Sequence, residues 1–589
     1  MKKRSRTVGV LGLAVVASGL VVAGYSASQS GTTTRVSVDS AAGQSNENSF
    51  DPSISADGLC IAFGSHASNL VTGDTNGRQD VFVHDRVSGA TTRVSVSSAG
   101  VQANNTADVP AISGNGQFVA FASVADNLVA GDTNSVRDIF VHDRVTGVTE
   151  RVSVSTAGVE GNAMSDFPAI SGDGRIVAFE SDASNLEAGD INGLTDIFVH
   201  DRLTGETFNI TSDPGIVIAN GRSYHPSNVS NLPSASFTSD ASNLVAGDTN
   251  GLTDVFVSAQ NADIVLVSVS SSGVQANADC GRSAISADGR FVAFSSVADN
   301  LVSGDANGVD DIFVRDLLTE VTTRVSVDSL GIEANGPSLA PYISADGRFV
   351  SFTSFASNLI ASDTNFFADV FVHDRVTHTT IRVSESSAGV QGDGDTFLSP
   401  ISSDGTIVAF ESAAPNLVSG DTNDFFDIFV NGRTVPVLIH PNSFLIVRGA
   451  LNGGGLTDLF VSDDMKLDVR AGLTLFLGEP PLQVVVVGTS PVGTPSELRF
   501  LLEASVNTPG LTQSVQLFNY DTSLYEEVDF SVPGFSDASA VVVITTNPER
   551  YVQVGTREMR AKVVYRQVGF TLLWPWSASL DQAVWTIAP

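Results

Sequence analysis

The chain has 589 residues, a formal charge of −34, a pI near 4.3 and 42% hydrophobic residues. That apolar content excludes general disorder, and the acidity argues against nucleic acid and anionic membrane surfaces, since both repel a negative protein. The length exceeds one ordinary core and suits a closed repeat fold with an additional domain.

Residues 1–30 read as a signal peptide. Lys2, Lys3, Arg4 and Arg6 form a basic start, Val8–Ala23 an apolar core and Gly24–Ser28 a small-residue exit. This segment predicts export, to a secreted, periplasmic or cell-surface location, with an uncleaved anchor as the alternative. No later run is long and apolar enough to suggest a membrane span.

Next comes TTTRVSV (Thr32–Val38), a strand without partners of its own. After it a motif returns at nearly constant spacing. The Asp of a GDTN-like core stands at 74, 132, 190, 248, 305, 363 and 421, always 58 residues apart except for one spacing of 57. A fixed period of this kind marks a repeat architecture. The copy Ser283–Val327 shows the unit: AIS, an Ala287-Asp288-Gly289 turn, RFVAFSS, a long loop through Asp305, DIFVRD, a short turn and TTRVSV. Val, Ile, Phe and Thr in short runs punctuated by Asp-Gly are strand grammar, and runs such as FVAF predict sheets covered on both faces.

Four strands in each of seven repeats predict an all-β fold, a seven-bladed β-propeller. The last repeat ends at DIFVNG (Asp427–Gly432) without a fourth strand, so the N-terminal strand is expected to complete it and close the ring. ISADGRFVAFSS (Ile285–Ser296) followed by DIFVRD resembles the TolB-type, WD40-like propeller repeat over residues 33–432. The resemblance implies a propeller, often exported, that binds partners or supports enzymes; the long GDTN insertion departs from the shorter loop of that pattern.

Repeat four is irregular. Asn231-Leu232 replaces the usual Asp-Gly or Asn-Gly, and Asp213–Pro226 contains the cluster Tyr224-His225-Pro226; both read as drift. After Gly432 the period stops. Leu498–Val506, Ser514–Tyr520, Ala540–Thr546 and Ala561–Val568 are apolar runs separated by Gly and Pro, so residues 433–589 are expected to form a C-terminal β-sandwich, with Arg433–Pro441 as its connection to residues 31–432. Gly455–Asp464 echoes a third strand too early for an eighth blade. Trp574, Trp576 and Trp585, the only tryptophans, are read as sandwich core rather than a sugar platform.

Cys60 takes a strand slot filled by Phe118 or Phe291 elsewhere, as a small hydrophobe, and Cys280 falls in an inter-repeat loop of a distant copy. No disulfide is expected between them. His84, His142, His200 and His373 share one strand position and recur because the repeat recurs. No GxSxG, HExxH, P-loop or GxGxxG motif is present.

Strand order places the long second-to-third loops and the inter-repeat loops at one end of the sheets, a face elaborated for binding. Each long loop carries Asp-x-Asn-x-x-x-Asp: Asp74, Asn76, Asp80; Asp132, Asn134, Asp138; Asp190, Asn192, Asp196; Asp248, Asn250, Asp254; Asp305, Asn307, Asp311; Asp363, Asn365, Asp369; and Asp421, Asn423, Asp427. Three oxygen donors close in sequence suit calcium, and the arrangement is similar to the calcium loops of integrin-type propellers, but lacks their intermediate carboxylate. The alternative is a turn without metal, in which the first Asp forms an Asx-turn, Asn is left-handed and the last Asp caps strand three. The sequence therefore points to an exported, non-enzymatic binding or scaffold protein for a protein or glycan ligand. The second reading is a carbohydrate-active or other hydrolase using carboxylates of the same face.

Overall fold

The computed structural model describes residues 31–588 except 212–217, 229–234, 259–263, 362, 436, 460–465, 472–479, 535–537 and 568–576. The export segment, Asn231-Leu232, Trp574 and Trp576 lie outside the described residues. The regular structure of the described chain is all strand apart from two short 3-10 turns at Thr457–Leu459 and Pro548–Tyr551.

Each of repeats one to six builds one four-stranded antiparallel sheet in chain order. In repeat one the strands are Ser49–Ile54, Cys60–Ser65, Asp80–Asp85 and Ala90–Arg93. The apolar second and third strands are the best buried, because neighbouring sheets cover both faces. Phe63 on strand two stacks on Phe82 of strand three with centroids 6.0 Å apart, and each of the seven sheets has an equivalent pair, ending with Phe410 and Phe429 at 5.9 Å. Both rings of the first pair are fully buried.

The sheet of repeat seven has the order Thr32–Arg35, Asp427–Gly432, Ile407–Ser412, Thr396–Phe397. Thr32 stands opposite Gly432 and Arg35 opposite Phe429. The chain's first described strand therefore supplies the fourth strand that the last repeat lacks. Repeat seven also bonds onward to repeat one: the Ser49 N–H donates to the Phe426 carbonyl at 2.8 Å, and the Ser403 N–H to the Ala56 carbonyl at 2.9 Å.

Residues after Gly432 form two larger sheets. One has the order Ala450–Gly453, Leu467–Arg470, Ser577–Ala588, Glu497–Val506, Ala538–Ile544; the other runs Ser443–Arg448, Leu482–Thr489, Glu558–Gln567, Leu511–Asn519, Leu524–Ser531. They share one core that includes Leu482, Val484, Phe500, Tyr565 and Trp585. Trp585 is fully buried, 5.0 Å from Phe500 between centroids, which meets the core expectation for that residue. The connection differs from expectation. Val437–Ile439, inside the supposed linker, pairs antiparallel with Ser577–Ala588, Ile439 standing opposite Trp585. The Gly455–Asp464 echo begins as a 3-10 turn, and residues 460–465 lie outside the described set.

Both cysteines are free. Cys280 is the first residue of strand Cys280–Ile285 rather than a loop residue, in the slot that holds Ser49 in repeat one. Burial pushes its thiol up to about 12, so it is unreactive at neutral pH. Cys60 is half-buried, and its Sγ accepts the Arg144 Nη1 hydrogen bond at 3.4 Å.

Deleting Thr32–Val38 should leave strand three of the last sheet with an unpaired edge. The variant is expected to melt at least about 5 °C below the parent chain and to self-associate on size exclusion. An unchanged melting temperature in a monomeric variant would contradict strand closure.

Candidate functional site

The long loops are built around a buried carboxylate. In repeat one the strand-three Asp80 is fully buried and accepts Ser95 Oγ at 2.5 Å and Asn76 Nδ2 at 2.8 Å. Asn76 Nδ2 also donates to the carbonyl of Ala103, in the loop to repeat two, at 2.9 Å. Its Oδ1 accepts the Arg78 N–H at 2.9 Å. Burial raises the pKa of Asp74, and the backbone N–H of Asn76 offsets part of that rise, the relation an Asx-turn would have. The left-handed residue, however, is the one after Asn. Gly77, Ser135, Gly193, Gly251, Gly308, Phe366 and Asp424 all have positive φ, because the Asn side chain closes a turn across them.

An arginine from strand four reaches between the two carboxylates in five repeats. Arg93 Nη1 is 3.4 Å from both Asp74 and Asp80. Arg151 pairs with Asp132 and Asp138, Arg324 with Asp305 and Asp311, Arg382 with Asp363 and Asp369, and Arg35 with Asp421 and Asp427. In repeats three and four that position is Asn209 and Leu266, so Asp190 with Asp196 and Asp248 with Asp254 have no such arginine. Among the described residues no three His, Cys, Asp or Glu side chains stand ready as a metal cluster.

The recurring histidines pack rather than react. His84 Nδ1 is 2.9 Å from Thr91 Oγ1, and that hydroxyl donates to the Val38 carbonyl of the preceding repeat at 2.5 Å. A hydroxyl that has given away its proton can only accept, so the imidazole carries its proton on Nδ1. His142, His200 and His373 repeat the contact. Burial lowers the pKa of all four.

A second set of equivalent positions, outside any of the motifs, lies at the centre of the ring. Asp51, Val109, Phe167, His225, Arg282, Ala340 and Leu398 are equivalent, and all line a cavity of about 280 Å³ between the first strands. Six of them have φ between 46° and 54°, Arg282 being the exception. Each first strand from repeat one to repeat six is bulged there, as between Phe50 and Ser53. Left-handed β-branched and aromatic residues are unfavourable, and a rigid frame must hold them. The sequence signal was available: a changing residue before Pro52, Pro110, Pro168, Pro226 and Pro341, in an otherwise steady repeat. His225 therefore belongs to this ring rather than to mere drift.

Carboxylates support the bulges. Glu411 Oε2 accepts the Asp51 N–H at 2.9 Å, and Glu180 Oε2 accepts the His225 N–H at 2.9 Å. Burial pushes both up to about 7. Arg137 pairs with Asp108 and Asp166 beside them.

The long-loop end also carries an aromatic arc across repeats six, seven and one. Phe355 is 6.4 Å from Phe397, Phe397 6.3 Å from Phe426, Phe426 5.8 Å from Phe50, and Phe50 6.4 Å from His66, between ring centroids. Phe355 is 45% exposed, and Phe366, at a left-handed loop position in repeat six, is 92% exposed.

No family model and no curated protein matches the chain. It is similar in fold to solved structures: a protein assigned as TolB from Agrobacterium tumefaciens, at 12% identity over 66% of this chain and 91% of that one, TM-score 0.28. A chain of a mitotic checkpoint complex matches at 9% identity over 73% and 99%, TM-score 0.36, and the RRP9 WD40 repeats at 9% over 68% and 98%, TM-score 0.34. Among the described residues no helix is long and apolar enough to cross a membrane.

A carboxylic acid whose folded pKa is raised favours the folded state when protonated. The contribution of Glu411 is whole below about pH 4.5 and is lost as pH rises through about 7. Glu411→Gln is therefore expected to gain stability relative to the parent between pH 5 and pH 8, by about 1–3 kcal/mol. Denaturant melts of both proteins at the two pH values measure the difference; parallel slopes would contradict it.

Proposed function

We propose that this chain is an exported, non-enzymatic binding or scaffold protein that engages a partner protein through its long-loop face. Residues 31–432 are read as a seven-bladed β-propeller and residues 433–589 as a β-sandwich-like domain carried by it. The observation that bears most weight is the aromatic arc. Phe366 is a bulky side chain in a left-handed conformation with nearly all its surface in water, at the same end of the sheets as Phe355, Phe397 and Phe426. Neither the core nor the turn benefits from it, whereas exposed aromatic rings on a rigid face are what interface centres are made of.

The test compares the parent chain with a Phe355→Ala/Phe366→Ala variant in capture from the native envelope or medium. A protein retained by the parent and bound at least about tenfold more weakly by the variant, at equal melting temperature, is the expected result. Equal capture by both would overturn the role of this face.

The hydrolase reading draws on one observation, the half-buried Glu180 and buried Glu411, with pKa values about 7 and each bonded to a residue that lines the central cavity. A general acid of that pKa suits glycoside cleavage. Turnover of a glycan panel that disappears in both Glu180→Gln and Glu411→Gln would establish it in place of the scaffold reading.

A further inference from the structure

Repeat three departs from the other long loops at two places that meet. Position 209 is Asn where five repeats have the bridging arginine, and position 187 is Glu where the others have Val71, Val129, Val245, Val302, Ile360 or Val418. One site has thus lost a cation and gained an anion. The frame around it is unchanged: Asn192 Nδ2 donates to Asp196 Oδ2 at 2.9 Å, Thr211 Oγ1 to Asp196 Oδ1 at 2.7 Å, and the Leu194 N–H to Asn192 Oδ1 at 2.8 Å.

Glu187 turns into this site, its Oε2 accepting the Asn209 N–H at 2.6 Å. Asp190 is only 9% exposed, and its Oδ1 is buried without a hydrogen-bond donor. The corresponding oxygen faces Arg93 Nη1 at 3.4 Å in repeat one and Arg151 Nη1 at 3.2 Å in repeat two. The charges acting on Asp190 are Asp196 and Glu187, both negative. Repeat four, which also lacks the arginine, keeps its hydrophobic Val245 and covers Asp248 Oδ1 with Gln275 Nε2 at 3.4 Å. A buried carboxylate oxygen with no donor and two anionic neighbours is costly unless a cation joins it.

We infer that repeat three binds one hard divalent cation of the calcium class between Asp190, Asp196 and Glu187, where five other repeats place a guanidinium. Calcium takes six to eight oxygens at about 2.3–2.6 Å and tolerates irregular geometry. Asp190 Oδ1, Asp196 Oδ2 and the Glu187 carboxylate supply the charge, and water completes the shell. The carboxylates repel one another without the ion, and Glu187 swings off the Asn209 N–H to close on it. This narrows the cation expectation from seven loops to one, and it stands apart from the scaffold reading.

Calorimetry of the chelator-treated full chain with calcium chloride tests it. The expected result is one calcium per chain, with a dissociation constant of about 10⁻⁴ M or tighter and a melting temperature that rises with calcium. A Glu187→Val/Asn209→Arg variant rebuilds the arrangement of repeat two and should fold, melt independently of calcium and give no heat; Asp190→Asn should lose the heat without the rebuilt ion pair. No calcium heat in the parent, or the same heat in the double variant, overturns the inference.

Discussion

One constraint runs through the ring of sheets: a carboxylate at the head of every third strand must be buried and still satisfied. Asp80, Asp138, Asp196, Asp254, Asp311, Asp369 and Asp427 are all fully buried. Each accepts a Ser or Thr hydroxyl from the strand-four side and an Asn amide from its own loop, as Asp138 does from Ser153 and Asn134. The same amide reaches the carbonyl of Gly161 in the following inter-repeat loop at 3.0 Å. One side chain therefore fixes the loop, ends the strand and ties one sheet to the next. Charged acceptors make the strong hydrogen bonds, and losing a donor would strand a buried charge.

This explains what the sequence could reveal. A network that needs Asp, Asn, Ser and Arg at set distances writes those residues at set distances, so the period, the four strands and the missing fourth strand of repeat seven were all legible. Pairwise satisfaction was not. Arg93 and Asp74 lie 19 positions apart, and nothing in either marks the other as its partner. The same gap hid the meaning of Asn209 and Glu187, each of which looks like ordinary drift by itself. After Gly432 no repeat enforces a pattern, so alternation located strands but not their order, and Val437–Ile439 passed for a linker.

Against so regular a frame, the informative residues are those the frame does not dictate. Seven equivalent positions around the central cavity carry seven different residue types, from Asp51 through Arg282 to Leu398. The Phe-Phe pairs at 366–367 and 425–426 stand where the other loops carry no aromatic residue, as with Gly77, Arg78 and Gln79 in repeat one. Packing cannot be the cause, because the same backbone is built without them elsewhere in the ring.

The bulge and its carboxylate weigh between the two functional readings. Turning Asp51 or His225 to positive φ takes its N–H out of the strand ladder, and a buried N–H needs an acceptor. Glu411 and Glu180 provide it, each from the second strand of the preceding repeat. Their depth, and so their raised pKa, follows from that task. The two residues come from repeats seven and three and serve separate bulges. A glutamate committed to a backbone N–H is first a strut that holds a strained residue toward the cavity. That arrangement favours a rim preset for recognition over an acid and base preset for turnover.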